Sequence, residues 1–188
     1  MNSKVVIGVI IAVVVFAIIA IFVSVYNSLV KSRNSVKQSF SDLDVLFKKR
    51  YDLVPNLVNT VKGYMKHEAD VLTKTTELRA NAMKAQTIND AVAQNKELTS
   101  NIRNIFAISE NYPKLMASSN FISLQDQLTK LEQEIAGQRS VYNARVTSHN
   151  NKVETFPTNI LAKMMKFEKF ELFVVEDPKE REAVKVEF

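Results

Sequence analysis

His67, Glu68 and Asp70 are the residues whose types come nearest to metal or acid–base chemistry. A metalloprotease helix needs a second His four residues after the first, and His67-Glu68 lacks it. A di-iron bundle needs a Glu-x-x-His pair from each of two helices, and the chain has only His67 and His149 with no such pair. The cluster at His67 is expected to be an exposed polar helix face rather than an ion site. There is no Cys, which removes disulfides, thiolate metal sites and a thiol nucleophile together. No glycine-rich phosphate loop is present, and no Ser, His and Asp grouping stands out. Arg50 and Asp52 beside Pro55 suggest either a functional polar corner or an ion pair that holds a bend, the second being the simpler reading. The expectation is a protein without enzymatic activity, catalytic residues, cofactor, metal or small-molecule substrate.

The strongest internal signal is the pattern Tyr-Asn-x-x-Val-x-x-x-Asn, present as Tyr26, Asn27, Val30 and Asn34 and again as Tyr142, Asn143, Val146 and Asn150. Each copy puts its two Asn seven residues apart on one helix face. Buried amides in that arrangement would set register between helices or protomers, because each must find a matched partner. Solvent-facing amides would do nothing of the kind, and the pattern alone leaves both open.

These residues need elements to hold them. With three Gly and four Pro in 188 residues, and with Leu, Lys, Glu, Gln and Ala prominent after the N-terminal stretch, the class is all-α. From Val5 to Val25 every residue is apolar or small and none is charged. A stretch of about 20 such residues matches a hydrocarbon core of ~30 Å. It exceeds the apolar stretch of a signal peptide and has no polar break with a cleavage site after Ala17 or Ala20, so it reads as an uncleaved transmembrane helix. Tyr26, Lys31 and Arg33 suit the membrane interface. The excess of Lys and Arg after the span favours a cytoplasmic soluble domain, by a margin that leaves the opposite, extracytoplasmic side open. The net charge of +5 is modest and concentrated where anionic lipid explains it, so nucleic acid is not an expected partner.

Apolar residues recur at helical spacing from Leu29 through Val36, Leu43 and Phe47 to Val54, which predicts that the span continues into the soluble part without a linker. Pro55 and Asn56 are expected to mark a kink or a helix–helix corner. A second stripe then runs from Leu57 to about Lys84, and Asn89 or Asp90 is expected to cap a third helix carrying Ala91 to Ile108. A fourth extends from about Ser119 to Thr155, followed by a short helix from Pro157 or Thr158 through Met165. Four such helices pack most simply as an antiparallel bundle. Phe167 to Val175 is aromatic and β-branched and reads as extended. Lying along a bundle groove or pairing with a neighbouring protomer are its two outlets, and the second makes Phe170, Leu172, Phe173 and Val174 the oligomer contact. The organisation is thus a transmembrane helix over 1–25, a helical bundle over 26–166, and an extended segment with a charged tail over 167–188.

The motifs together resemble the LemA family. The likeness rests on Tyr26-Asn27-x-Leu29-Val30, on the run from Asp44 through Arg50, Tyr51 and Pro55-Asn56-Leu57 to Val58, and on Val61-Lys62-Gly63-Tyr64. Later come Tyr112-Pro113, Phe121-x-x-Leu124-Gln125, Tyr142-Asn143-x-x-Val146-x-x-x-Asn150 and Phe156-Pro157-x-Asn159, in the family's order over nearly the whole chain. The resemblance implies a bacterial, single-span membrane protein with an antiparallel helical bundle and no agreed active site. It also implies membrane-organising roles, as in relatives of magnetosome formation, or an adaptor role beside membrane metalloproteases. The expected function is a homo-oligomeric scaffold in the bacterial inner membrane, the alternative an adaptor for another membrane protein, with the lipid bilayer a partner in either case.

Overall fold

The structure is a computed structural model that describes residues 3–173. Its regular elements are all α-helices, named here α1 (Ser3–Lys62), α2 (Ala69–Met83), α3 (Ile88–Ser109), α4 (Pro113–Met116), α5 (Ser119–Glu154) and α6 (Thr158–Met164). The all-α class is as the composition requires. Among the described residues one helix, α1, is long and apolar enough to cross a membrane, and its apolar N-terminal stretch is not buried by any of them.

The burial pattern explains why α1 and α5 form. Along α1 the buried positions are Leu29, Ser32, Val36, Ser39, Leu43, Phe47, Arg50, Val54, Leu57 and Val61. Along α5 they are Phe121, Leu124, Leu128, Leu131, Ile135, Arg139, Tyr142, Val146 and His149. Steps of three and four keep one stripe of each helix facing inward. Several of these positions are polar, so an apolar stripe read from sequence has gaps where the structure has none.

The chain forms two compact units. The first comprises residues up to Leu46 and Glu134–Glu171, the second Phe47–Gln133 together with Leu172 and Phe173 among the described residues. In the first unit α1 and α5 run antiparallel, as Ser32 against His149 and Ser28 against Lys152 show. Residues 167–171, which are in neither helix nor strand, lie against both helices.

In the second unit the end of α1, α2, α3 and the start of α5 make four antiparallel neighbours. Contacts fix this arrangement: Arg79 on Tyr51, Thr75 on Asn101, and Phe106 edge-on to Phe121 at 6.1 Å. Arg50 sits at its centre with no exposure. Its guanidinium donates to Thr99 Oγ1 at 2.6 Å, to Glu132 Oε1 at 2.9 Å and to Asn95 Oδ1, and it lies 5.1 Å from the Phe47 ring centroid. A buried cation so surrounded keeps its charge compensated, whereas removal of one partner would expose the full desolvation cost. Asp52 is exposed, so the polar corner considered from sequence does not form: two residues apart on a helix, Arg50 and Asp52 face different ways.

Three local expectations need correction. The helix does not end at Pro55, which lies inside α1. Proline has no N–H to give to the carbonyl four residues before it, that of Tyr51. Arg79 Nε of α2 supplies the missing donor to the Tyr51 carbonyl at 2.6 Å. The break comes instead between Lys62 and Ala69, so the stripe read from Leu57 to Lys84 belongs to two helices. The α3 cap is Thr87, whose backbone is extended and whose hydroxyl accepts from the Asp90 N–H at 3.0 Å. Asp90 thus stands in the first turn, where its charge favours the helix dipole.

If Arg79 stands in for the N–H that Pro55 lacks, the two residues are coupled. Arg79→Ala in the native background is expected to lower stability by about 1–3 kcal/mol by removing this donor from the buried carbonyl. In a Pro55→Ala background, which restores the N–H, the same substitution is expected to cost less. Chemical unfolding of the full chain in detergent, as a double-mutant cycle, measures the difference.

Candidate functional site

The groove between α1 and α5 in the first unit collects most of the residues singled out from sequence. It begins where α6 ends. Lys166 has φ 53°, the Phe167 N–H bonds the Ala162 carbonyl at 2.9 Å, and the Lys166 N–H bonds the Lys163 carbonyl at 3.3 Å. This is a Schellman closure in which lysine occupies the left-handed position that glycine usually takes. It reverses the chain and aims residues 167–171 back along the groove.

Aromatic and amide contacts then fasten the segment. Phe167 packs edge-on to Tyr26 with centroids 6.3 Å apart, and the Arg33 guanidinium lies 5.1 Å over its ring. Asn150 makes a two-point amide clasp on Phe170: Nδ2 donates to its carbonyl at 2.9 Å, and Oδ1 accepts from its N–H at 3.0 Å. Tyr142 donates to the Glu171 carbonyl at 3.1 Å, and its ring meets Phe40 edge-on. Burial, reinforced by the Glu171 charge, pushes the Tyr142 hydroxyl up to about 12, so it remains a donor. The extended segment thereby satisfies backbone groups that no strand pairs among the described residues.

His149 is a second buried titratable group of this groove. Its Nδ1 is 2.9 Å from Ser32 Oγ and its Nε2 is 3.1 Å from the Glu168 carbonyl, while Phe167 and Phe170 cover the ring at 6.5 and 5.2 Å. The carbonyl only accepts, so Nε2 carries the proton. In the neutral ring Nδ1 then accepts from Ser32. On protonation Nδ1 donates, and the Ser32 hydroxyl turns to the Leu29 carbonyl, 2.9 Å away. Burial lowers the His149 pKa, the Glu168 carbonyl opposes this, and the charges of Arg33 and Lys152 add to the lowering. Ser and His are therefore in contact, but beneath two aromatic rings, where the pair joins α1, α5 and the extended segment.

The positions of the other sequence candidates follow. Asn27 and Asn34 are exposed and Asn143 is half-buried, so the two copies of the Tyr-Asn pattern have different surroundings. Both of their tyrosines touch the extended segment. Lys31 is exposed. Phe170 is half-buried, Phe173 is buried with its ring 5.9 Å from Phe47, Leu172 is exposed, and Val174 lies outside the described residues. Asn56, beside Pro55, is exposed. His67 is exposed, and Glu68 accepts from Tyr112 at 3.4 Å, which with burial raises the Tyr112 pKa. Among the described residues no three His, Asp or Glu side chains group to hold a metal ion. Sequence reasoning missed His149, Ser32, Arg50, Asn95 and Thr99 as interior residues. The Asn150 spacing and the extended character of the segment after Phe167 were the signals that pointed to the groove.

A second feature lies in the other unit, at the turn between α1 and α2. A groove of about 480 Å³ is floored by Val58, Met65 and Leu72 and rimmed by Lys62 and Lys66.

Residues 39–188, most of the chain, match the LemA family. The chain belongs to the LemA family. Among similar proteins, Protein LemA of Metamycoplasma hominis is 26% identical over 140 residues, 74% of this chain and 64% of that protein. Magnetosome protein MamQ 2 of Paramagnetospirillum magneticum is 24% identical, and Magnetosome protein MamQ of Magnetospirillum gryphiswaldense 21%, each over 79% of this chain and 64% of its own length. The match therefore spans slightly under two thirds of each of these LemA-family and magnetosome proteins.

The His149 surroundings give a pH dependence. The folded chain holds the imidazole neutral below the pKa of about 6.5 that an unfolded chain shows, so the unfolded state binds the proton more readily. The resulting stability is fully present above about pH 6.5. It is expected to fall as pH drops from there through the depressed folded value. Unfolding measured between about pH 7 and 5, above the carboxylate range, should show this slope, and His149→Gln should flatten it.

Proposed function

We propose that this LemA-family chain is a non-enzymatic, single-pass membrane protein that serves as a homo-oligomeric scaffold. The observation that carries the reading is the unbroken α1, which passes from the apolar span into both packed units without a linker. A tethered enzyme profits from a flexible connection. A helix that enters the soluble fold directly suits a protein that holds surfaces at a set distance from the bilayer. The polar residues of the interior support the same reading, because Arg50, Asn95 and His149 use their hydrogen bonds to join helices and Asn150 to join α5 to the extended segment. Relatives named as magnetosome proteins are consistent with work on a membrane-bounded structure. The excess of Lys and Arg after the span supports a cytoplasmic soluble part.

An adaptor is the second reading, and the groove rimmed by Lys62 and Lys66 favours it. Its apolar floor and paired cations would take an acidic, amphipathic segment of another membrane protein.

Extraction from the native membrane in mild detergent, followed by mass measurement of the intact particle, separates the readings. A large particle of this chain alone is expected. A single-chain particle would contradict the scaffold. A second protein in fixed ratio, lost on Lys62→Glu with Lys66→Glu, would establish the adaptor instead.

A further inference from the structure

The corner formed by the end of α5 and α6 exposes a cluster of large apolar side chains that the first unit leaves uncovered. Phe156 is 80% exposed, Met164 67%, Ile160 55% and Met165 44%. Phe156, Ile160 and Met164 recur every four residues. On the other side Ala162 is fully buried, so the corner has an inner face and an outer one. Exposure on this scale matches that of the span itself, where Phe16 is 74% and Ile18 61% exposed. Such clusters mark contact surfaces.

What covers this one follows from its level along α1. The antiparallel register places His149 opposite Ser32 and Lys152 opposite Ser28, with Lys152 Nζ 3.0 Å from Ser28 Oγ. Carried on to the end of α5, the same register brings Phe156 roughly level with Val25, where the apolar run ends. Phe167, just beyond α6, confirms the height by packing on Tyr26. The corner thus stands at the boundary where α1 leaves the hydrocarbon. Lys163 and Lys166 are exposed beside the apolar cluster, as cations are on helices that lie in a lipid headgroup layer.

We propose that the α5–α6 corner is a second membrane contact. It inserts Phe156, Ile160 and Met164 into the same bilayer leaflet that receives the end of the span, to a depth of about 5–10 Å, with Lys163 and Lys166 among the lipid phosphates. The chain is then held by a spanning helix and an interfacial one. Because residues 167–171 run from this corner into the α1–α5 groove, the bilayer also fixes where the extended segment begins. This rests on the single-span reading above.

The chain has no tryptophan, so a substituted one reports alone. The full chain carrying Phe156→Trp, Ile160→Trp, Val141→Trp or Val14→Trp is reconstituted in phosphatidylcholine–phosphatidylglycerol vesicles, and quenching by lipids brominated at shallow or deep acyl positions is measured. Val141, exposed on α5 far from the span, is the water-facing control, and Val14 reports the span. Phe156→Trp and Ile160→Trp are expected to emit at shorter wavelength than Val141→Trp and to be quenched several-fold more strongly, most by the shallow bromines. Water-like, unquenched emission at both corner positions, with Val14→Trp quenched, would overturn the proposal and leave the span standing. Shielding from aqueous acrylamide without quenching by bromolipid would also overturn it, because protein rather than lipid would then cover the corner. An unquenched Val14→Trp would instead refute the span. Two independent corner probes guard against one substitution disturbing the local fold.

Discussion

Each of the two units packs its other elements on part of the same continuous helix, α1. An apolar segment that crosses a bilayer must satisfy its backbone groups internally, which favours a helix, and between Val25 and Lys62 only Pro55 interrupts the pattern that continues it. Once it continues, it presents one long stripe that has to be covered, first by α5 and the extended segment, then by α2, α3 and the start of α5. The proline that falls inside it is accommodated by a neighbour: Arg79 answers the Tyr51 carbonyl. The helix survives because its partners complete its hydrogen bonding, and the partners are placed by the helix.

The interior this produces is unusually polar for a small helical protein. Arg50 at full burial, with Asn95, Thr99 and Glu132 around it, and His149 between Ser32 and Glu168 are groups that would be costly if any partner were absent. Matched amide and guanidinium contacts distinguish one register from another more sharply than leucines do. Asn150 shows the principle directly, since its two bonds to Phe170 are possible only when the segment lies at one position along α5.

Much of this was legible in the residues. The span was evident from the uninterrupted run Val5 to Val25, the class from composition, and the long α5 from Phe121, Leu124, Leu128 and Leu131. The extended character of the segment after Phe167 was also readable, although two outlets for it remained. What escaped was set by contacts distant in sequence. Pro55 reads as a kink or a corner, and the corner is avoided because a donor comes from Arg79, a residue with no local mark of that role. Arg50 suggests a polar corner or an ion pair and His149 carries no mark of its place; that both lie in the interior is decided by the assembled neighbours. The α3 cap was misplaced because Asn89 and Asp90 are as good caps by type as Thr87, and backbone geometry decides between them. The α5–α6 corner carried no warning at all, since exposure and height along α1 are properties of the packed unit.

The central claim is that the extended segment closes the groove of its own chain through Asn150 and Phe170. The absence of cysteine allows a direct test: Asn150→Cys with Phe170→Cys in the full chain, treated in membranes with a short bifunctional thiol reagent, then separated by mass. The account predicts a cross-link within one chain, seen as rapid loss of both thiols on a monomer that has gained the mass of one bridging group. A ladder of cross-linked dimers and higher species, with little cross-linking inside single chains, would contradict it and put the segment in the groove of a neighbour.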